Sequence, residues 1–161
     1  DVYKRQVYTS SLTRTVETVA GFIEMGIEHA RLEGLDEIHW GSKEGKRFDA
    51  QDHQEYLEVT EQWMQGHTHL SIAGGESPND VIARQEQALS HIMSNQQERL
   101  VLICMHGRAL RIFMCLLLNY PLKYMNIFPH HNTGLYQITH TGRHFRIDTV
   151  NSLLHLNGST Q

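Results

Sequence analysis

The sequence predicts an α/β fold, a three-layer sandwich with helices over both faces of a mostly parallel central sheet, a closing antiparallel hairpin, and its first central strand missing. Three observations carry this. Leu100–Met105 is apolar throughout, too short for a helix, and bounded by His106-Gly107, which reads as a strand buried on both faces and central in its sheet. Ala109 to Leu118 is apolar nearly all round, broken by Arg111, as expected of a helix packed on that sheet. Tyr136 with Ile138, and Phe145 with Ile147, alternate with polar neighbours about the turn His140-Thr141-Gly142-Arg143, which predicts the hairpin.

In chain order, the opening DVYKRQ is polar, lacks an initiator Met and resembles a translated sequencing-library adapter. Residues 1–6 are therefore expected to be non-native, and residues 7–161 to form part of a domain. Val7-Tyr8-Thr9 reads as the tail of a short strand. Ser10-Ser11 offers N-cap hydroxyls to a helix with Leu12, Val16, Val19, Ala20, Ile23 and Ile27 on one face. Arg14, in its first turn, is a cation opposing the helix dipole, which fits a solvated residue or one that serves a bound anion. Gly34–Gly41 is expected to be a short extended piece, and Glu37 within it is flanked by Leu35, Ile38 and Trp40. A carboxylate in apolar surroundings can act as an acid near neutrality, although a loop glutamate is more often simply exposed.

Asp49–Gln65 has helical spacing of Tyr56, Leu57, Val59, Trp63 and Met64, and Gly66–Gly75 is a loop. Ser77, Pro78 and Asp80 supply N-cap, first-turn proline and capping box for a helix ending near Asn95, with Glu76 and Arg84 read as structural. Pro121–Phe128 is a short helix or turn. A doubly buried strand at Leu100–Met105 needs partners along both edges, and the strands legible elsewhere do not suffice. One strand is expected upstream.

Composition narrows the function. At 161 residues, 40% hydrophobic and 20% charged, the chain suits one globular domain, and its net charge of −4 without a run of Lys or Arg argues against a nucleic-acid partner. The longest apolar run falls short of the ~20 residues of a spanning helix, so no membrane partner is expected. Cys104 and Cys115 lie in the buried strand and helix, which fits a reducing, cytoplasmic setting. The 12 histidines include His67/His69, His130-His131 and His140/His144, but no Cys or carboxylate completes a ligand spacing around them, and neither metal nor cofactor is expected. The oligomeric state is not legible.

His106 stands out by position. It ends a strand, Gly107 permits close backbone approach, and the amides that follow open a helix, at the sheet edge where open α/β folds bind ligands. On position alone an ordinary histidine at a strand end fits equally well.

Tyr8-Thr9-Ser10-Ser11-Leu12-Thr13-Arg14 with Thr18, Leu35-Asp36-Glu37 with Gly41 and Glu44-Gly45, Gly74-Gly75-Glu76-Ser77 with Asp80 and Arg84, His106-Gly107, and Asn132 with Leu135 together resemble the histidine phosphatase superfamily, which includes the cofactor-dependent phosphoglycerate mutases. The resemblance runs from Val7 onward. It implies an α/β sandwich and a phosphohistidine formed on an Arg-His-Gly motif at the end of the first, central strand. That motif is absent from the sequence, so the resemblance implies an N-terminally truncated chain, inactive by itself. Carried over by position, Arg14 grips the phosphoryl group, His106 hydrogen-bonds one of its oxygens, and Glu37 is the proton donor. Gly107 and Arg108 join Arg14 and His106 in the phosphate and substrate site, and Arg108 departs from the smaller or amide residue of many relatives. The short stretch after Glu37 and Glu44-Gly45 favour hydrolysis of small phosphomonoesters over mutase-type transfer. A degenerate phosphate-binding module is the non-enzymatic alternative.

Overall fold

The computed structural model describes residues 4–47 and 49–156. Strand β1 (Lys4–Thr9) is the middle of three parallel strands, with β2 (Glu28–Arg31) on one side and β3 (Glu98–Cys104) on the other. A separate antiparallel pair, β4 (Leu135–His140) and β5 (Phe145–Ser152), forms the hairpin. Between them run helices α1 (Thr13–Thr18), α2 (Ala20–Glu24), α3 (Ala50–Met64), α4 (Pro78–Ser94) and α5 (Gly107–Leu118).

Tyr8 packs with Ala88, Ile92 and Phe113, so α4 and α5 cover the face that Tyr8 and Ile103 share. Cys104, one residue on, points to the opposite face, where the Thr18 hydroxyl of α1 meets it. Three layers result. A second cluster, Ile38, Trp63, Val81, Ile112, Met114, Met125 and Phe128, joins α3, α4, α5 and the 3-10 turn Leu122–Ile127 to the hairpin residues Tyr136, Ile138 and Ile147.

In the three-stranded sheet of the described residues the Leu100–Met105 strand lies at an edge rather than at the centre. Among the described residues β3 pairs only with β1, and Leu100 is 55% exposed. Nor is the strand buried on both faces, since every residue of β3 keeps some exposure, and an apolar run carries no information about which edges are paired. The central position belongs to β1, whose Val7, Tyr8 and Thr9 are each at most 1% exposed. β1 also begins earlier than Val7, because Lys4, Arg5 and Gln6 pair with β3. Residues 1–3 lie outside the described residues, as do residues 157–161.

Two further expectations are corrected. The helix expected from Leu12 to Ile27 is broken at Val19 into α1 and α2. Leu12 is its N-cap, and its apolar side chain has no acceptor to cap with, while the Ser11 hydroxyl is turned to Asp36. Gly34–Gly41 is not extended: Glu33–Leu35 and Gly41–Lys43 are 3-10 turns, and the neighbouring strand is Glu28–Arg31 instead. That strand is four residues of an edge, too short and too polar to announce itself by alternation. The helices at Asp49 and Ser77 start as expected, each with a complete capping box.

Candidate active site

The parallel strands deliver their carboxyl ends to one edge. There the turn after β1 supplies Ser10, the first turn of α1 supplies Arg14, the turn between β3 and α5 supplies His106, and the segment after Glu33–Leu35 supplies Glu37. Ser11 welds two of these together, donating to Asp36 from its amide and its hydroxyl, both at 2.7 Å.

His106 is 7% exposed and is the N-cap of α5. Arg14 Nε donates to its Nδ1 at 3.1 Å, so that nitrogen carries no proton. The imidazole proton therefore sits on Nε2, 2.8 Å from Ser10 Oγ, which also accepts from the Leu12 amide at 3.1 Å. Ser10, accepting from both, donates its own hydroxyl hydrogen bond to Thr15 Oγ1 at 2.9 Å, and Thr15 donates to Leu12 O at 2.8 Å. One neutral tautomer is thus held in place. Burial, with the Arg14 guanidinium adding to it, pushes His106 below the usual histidine range, while Glu37 and Asp36 act in the opposite direction.

A histidine lowered in this way takes up its proton in the unfolded chain near pH 6.5 but only at lower pH when folded, so the unfolded state binds more protons as pH falls through that value. Its contribution is complete above pH 6.5 and is lost below it. His106→Gln is expected to shrink the fall in urea midpoint between pH 7.5 and 5.5, leaving the part due to His29 and His130, which shift the same way. An undiminished fall in the variant would remove His106 from this account.

Glu37 faces α5. Its Oε1 accepts from the Ala109 amide at 2.9 Å and from Ile38 at 3.0 Å, and Oε2 accepts from the Arg108 amide at 3.2 Å. It therefore caps the helix that His106 opens, and its charge acts on His106. The expectation of apolar surroundings is corrected: backbone N–H groups surround the carboxylate. Arg14, Glu37 and His106 converge as expected at the carboxyl edge of the sheet.

Gly107 and Arg108 follow. A Cβ at Gly107 would stand 2.7 Å from Cδ2 of His130, so the missing side chain is what lets that ring pack onto the start of α5. Among the described residues Arg108 pairs with no carboxylate: its guanidinium reaches Asn126 Oδ1 at 2.7 Å and Tyr56 Oη at 3.0 Å, and lies 5.8 Å over the Trp63 ring. Among the described residues no group of three or more His, Cys, Asp or Glu is arranged to hold a metal, and no helix is long and apolar enough to cross a membrane.

Arg84 is more than a helix-surface residue. Its Nη1 donates to Gly34 O at 3.0 Å and Asp36 O at 2.9 Å, its Nη2 to Glu37 O at 3.2 Å, and both Nε and Nη2 grip Glu76, at 2.8 and 2.9 Å. Burial works to raise Glu76, but the Arg84 pair and the His39 amide outweigh it and hold its carboxyl below the usual range. Gly34 lies so close to α4 that a Cβ would meet Arg84 O at 2.6 Å. The segment carrying Glu37 is thus clamped to α4 by one guanidinium. Arg84→Met, which strands Glu76 and four carbonyls, those of Glu33, Gly34, Asp36 and Glu37, is expected to cost about 2–3 kcal/mol, read as a lowered urea midpoint. An unchanged midpoint would refute the clamp. Ser10 and Asp36 are the other members that sequence reasoning missed: a serine after a strand reads as a cap, and nothing local says that its hydroxyl faces a histidine from β3.

Comparison with solved structures finds the same arrangement of elements elsewhere. Bacillus stearothermophilus YhfR superposes with a TM-score of 0.78 at 26% identity, over 96% of this chain and 77% of that one. The α-ribazole phosphatase from Shigella flexneri gives 0.78 at 21% identity, over 94% and 75% of the two chains. A mycobacterial glucosyl-3-phosphoglycerate phosphatase, in complex with inorganic phosphate, gives 0.75 at 19%, over 91% and 76%. Comparison with curated proteins gives no match. The histidine phosphatase superfamily (branch 1) model matches residues 2–153, and with nearly the whole chain so matched, and its fold shared with those structures, the chain belongs to that superfamily.

Proposed function

We propose that the protein hydrolyses small phosphomonoesters through a phosphohistidine, the nucleophile being a histidine of an Arg-His-Gly motif in sequence that precedes the chain. The observation that carries this reading is the convergence of Arg14, His106 and Glu37 at one sheet edge. Arg14 and His106 supply donors for the charge spread over a transferring phosphoryl group, and capture on a histidine divides hydrolysis into two easier steps. A phosphoryl dianion beside His106 Nδ1 favours the protonated imidazole, turning the acceptor now beside Arg14 into a donor. Glu37 protonates the leaving oxygen and then activates water.

Two features support the upstream nucleophile. β3 has an edge without a strand partner among the described residues, where a further parallel strand can pair. Both nitrogens of His106 are already engaged, which makes it a poor nucleophile. Phosphatase rather than mutase chemistry is supported by the short stretch between Glu37 and α3 and by the two named phosphatases among the similar folds. Buried Cys115 and half-buried Cys104, both free, suit a reducing, cytoplasmic setting. The test follows the phosphoryl group: it is to be trapped on an upstream histidine and then released to water in preference to a second substrate hydroxyl.

A further inference from the structure

Both nitrogens of His106 are governed from one helix. α1 places Arg14 at Nδ1, and the next residue, Thr15, stands behind Ser10 at Nε2. The Thr15 hydroxyl bonds Ser10 and Leu12 and makes no hydrogen bond to the imidazole. It is 3% exposed and Ser10 is 0% exposed, so neither hydroxyl can turn to bulk water for a partner.

A hydroxyl can donate or accept, so the direction of such a chain is set at its ends. Arg14 Nε–H can only donate, which leaves Nδ1 unprotonated and aims Nε2–H at Ser10. The Leu12 carbonyl can only accept, so Thr15 donates there and its oxygen is free to receive the Ser10 hydroxyl. The Leu12 amide fills the remaining acceptor position of Ser10 Oγ. With Thr15 in place, Ser10 accepts from His106 and donates away from it.

Without the Thr15 hydroxyl, Ser10 has another acceptor to turn to, Nε2 itself, once the imidazole proton moves to Nδ1. That tautomer sets two N–H groups face to face, at Nδ1 and at Arg14 Nε, and drives the guanidinium off the ring. Arg14 from α1, Glu37 and Asp36 from the segment after Glu33–Leu35, and Arg84 from α4 act on whether His106 is charged. Which nitrogen holds the proton of the neutral ring is decided by its hydrogen bonds.

We propose that Thr15 is a positioning residue for His106: through Ser10 it holds the imidazole proton on Nε2, and so keeps Nδ1 turned to Arg14 and to the phosphoryl group. The link to the phosphoryl group rests on the reading of Arg14 and His106 as its site, whereas the control of the tautomer does not. An anion at Nδ1 needs a proton there while Nε2–H stays, and that imidazolium can only donate to Ser10. A free site lacking the Thr15 hydroxyl relieves Ser10 by changing tautomer. The occupied site cannot, so the loss falls on anion binding.

The 161-residue chain, labelled with ¹⁵N at histidine, is compared with Thr15→Val and Thr15→Ser by NMR at about pH 7.5, above the ordinary histidine range, with His106→Gln identifying the resonance. Valine keeps the shape and β-branch of threonine and removes the hydroxyl. Wild type and Thr15→Ser are expected to carry the His106 proton on Nε2, and Thr15→Val to shift it toward Nδ1. Titrated with inorganic phosphate, Thr15→Val should bind about tenfold more weakly than the other two, the effect of one buried hydroxyl left unpaired. A wild-type chain with the proton on Nδ1, a result that needs no variant, overturns the proposal. So does the wild-type tautomer in Thr15→Val, or in Thr15→Ala where valine does not fold. Unchanged phosphate affinity in a variant whose tautomer has moved removes the link to anion binding. Phosphate binding indifferent to Arg14→Gln refutes the phosphoryl-site reading instead, and leaves the tautomer result standing.

Discussion

Incubated with a labelled phosphomonoester and quenched in alkali, the 161-residue chain is expected to trap no acid-labile phosphohistidine, whereas the same chain preceded by its natural upstream sequence is expected to trap close to one equivalent. The reason lies in His106. Its Nδ1 accepts from Arg14, its Nε2 donates to Ser10, and it is 7% exposed, so no lone pair is free to attack phosphorus. Exposing one would break a relay that runs through Ser10 and Thr15 to the Leu12 carbonyl. On the proposed reading the nucleophile comes from another strand, and the edge of β3 that has no strand partner among the described residues offers it a place beside His106. Stoichiometric phosphohistidine on the chain alone would overturn the upstream assignment and make His106 the nucleophile. With the upstream segment present, replacing its Arg-His-Gly histidine should abolish the label.

Much of this site is legible in the sequence, and the failures have a common cause. The Ser77 capping box, the strand-turn-helix at His106 and the hairpin are local patterns, written within a few residues, and each stands where the sequence predicts it. Leu100–Met105 reads as central because it is apolar, but an apolar run carries no information about which edges are paired. Lys4-Arg5-Gln6-Val7-Tyr8-Thr9, polar for half its length, holds the centre because it has a neighbour on each side. Edge position is a long-range property. The same holds for Ser10, whose partner lies 96 residues away, and for Arg84, whose acceptors on the Glu37 segment lie 47 to 51 residues before it. Glu37 reads as a carboxylate among apolar groups because its sequence neighbours are apolar. They turn inward, with Leu35 and Ile38 at most 1% exposed, and its own carboxylate turns to the amides of α5.

In the completed enzyme, Glu37→Gln is expected to slow turnover of alkyl phosphates by about 10²–10⁴-fold while sparing nitrophenyl phosphate. An alkoxide leaves badly unless protonated as the bond to phosphorus breaks, whereas nitrophenolate leaves unaided, so a missing acid is felt by the first substrate alone. The substitution has a structural effect as well. A glutamine oxygen can keep the bonds from Ile38 and Ala109, but its amide NH2 then faces the Arg108 N–H that Oε2 accepts now, at a cost of about 1–3 kcal/mol. Loosening the start of α5 would shift His106, and that damage falls on both substrates equally. The ratio of the two losses therefore separates acid catalysis from positioning, because a lost cap lowers both rates and a lost proton lowers one. His106→Ala provides the comparison: it removes a group that acts on the phosphoryl itself, so both substrates should slow together. Equal losses for alkyl and nitrophenyl phosphate in Glu37→Gln would leave Glu37 as the cap of α5 and place the acid elsewhere.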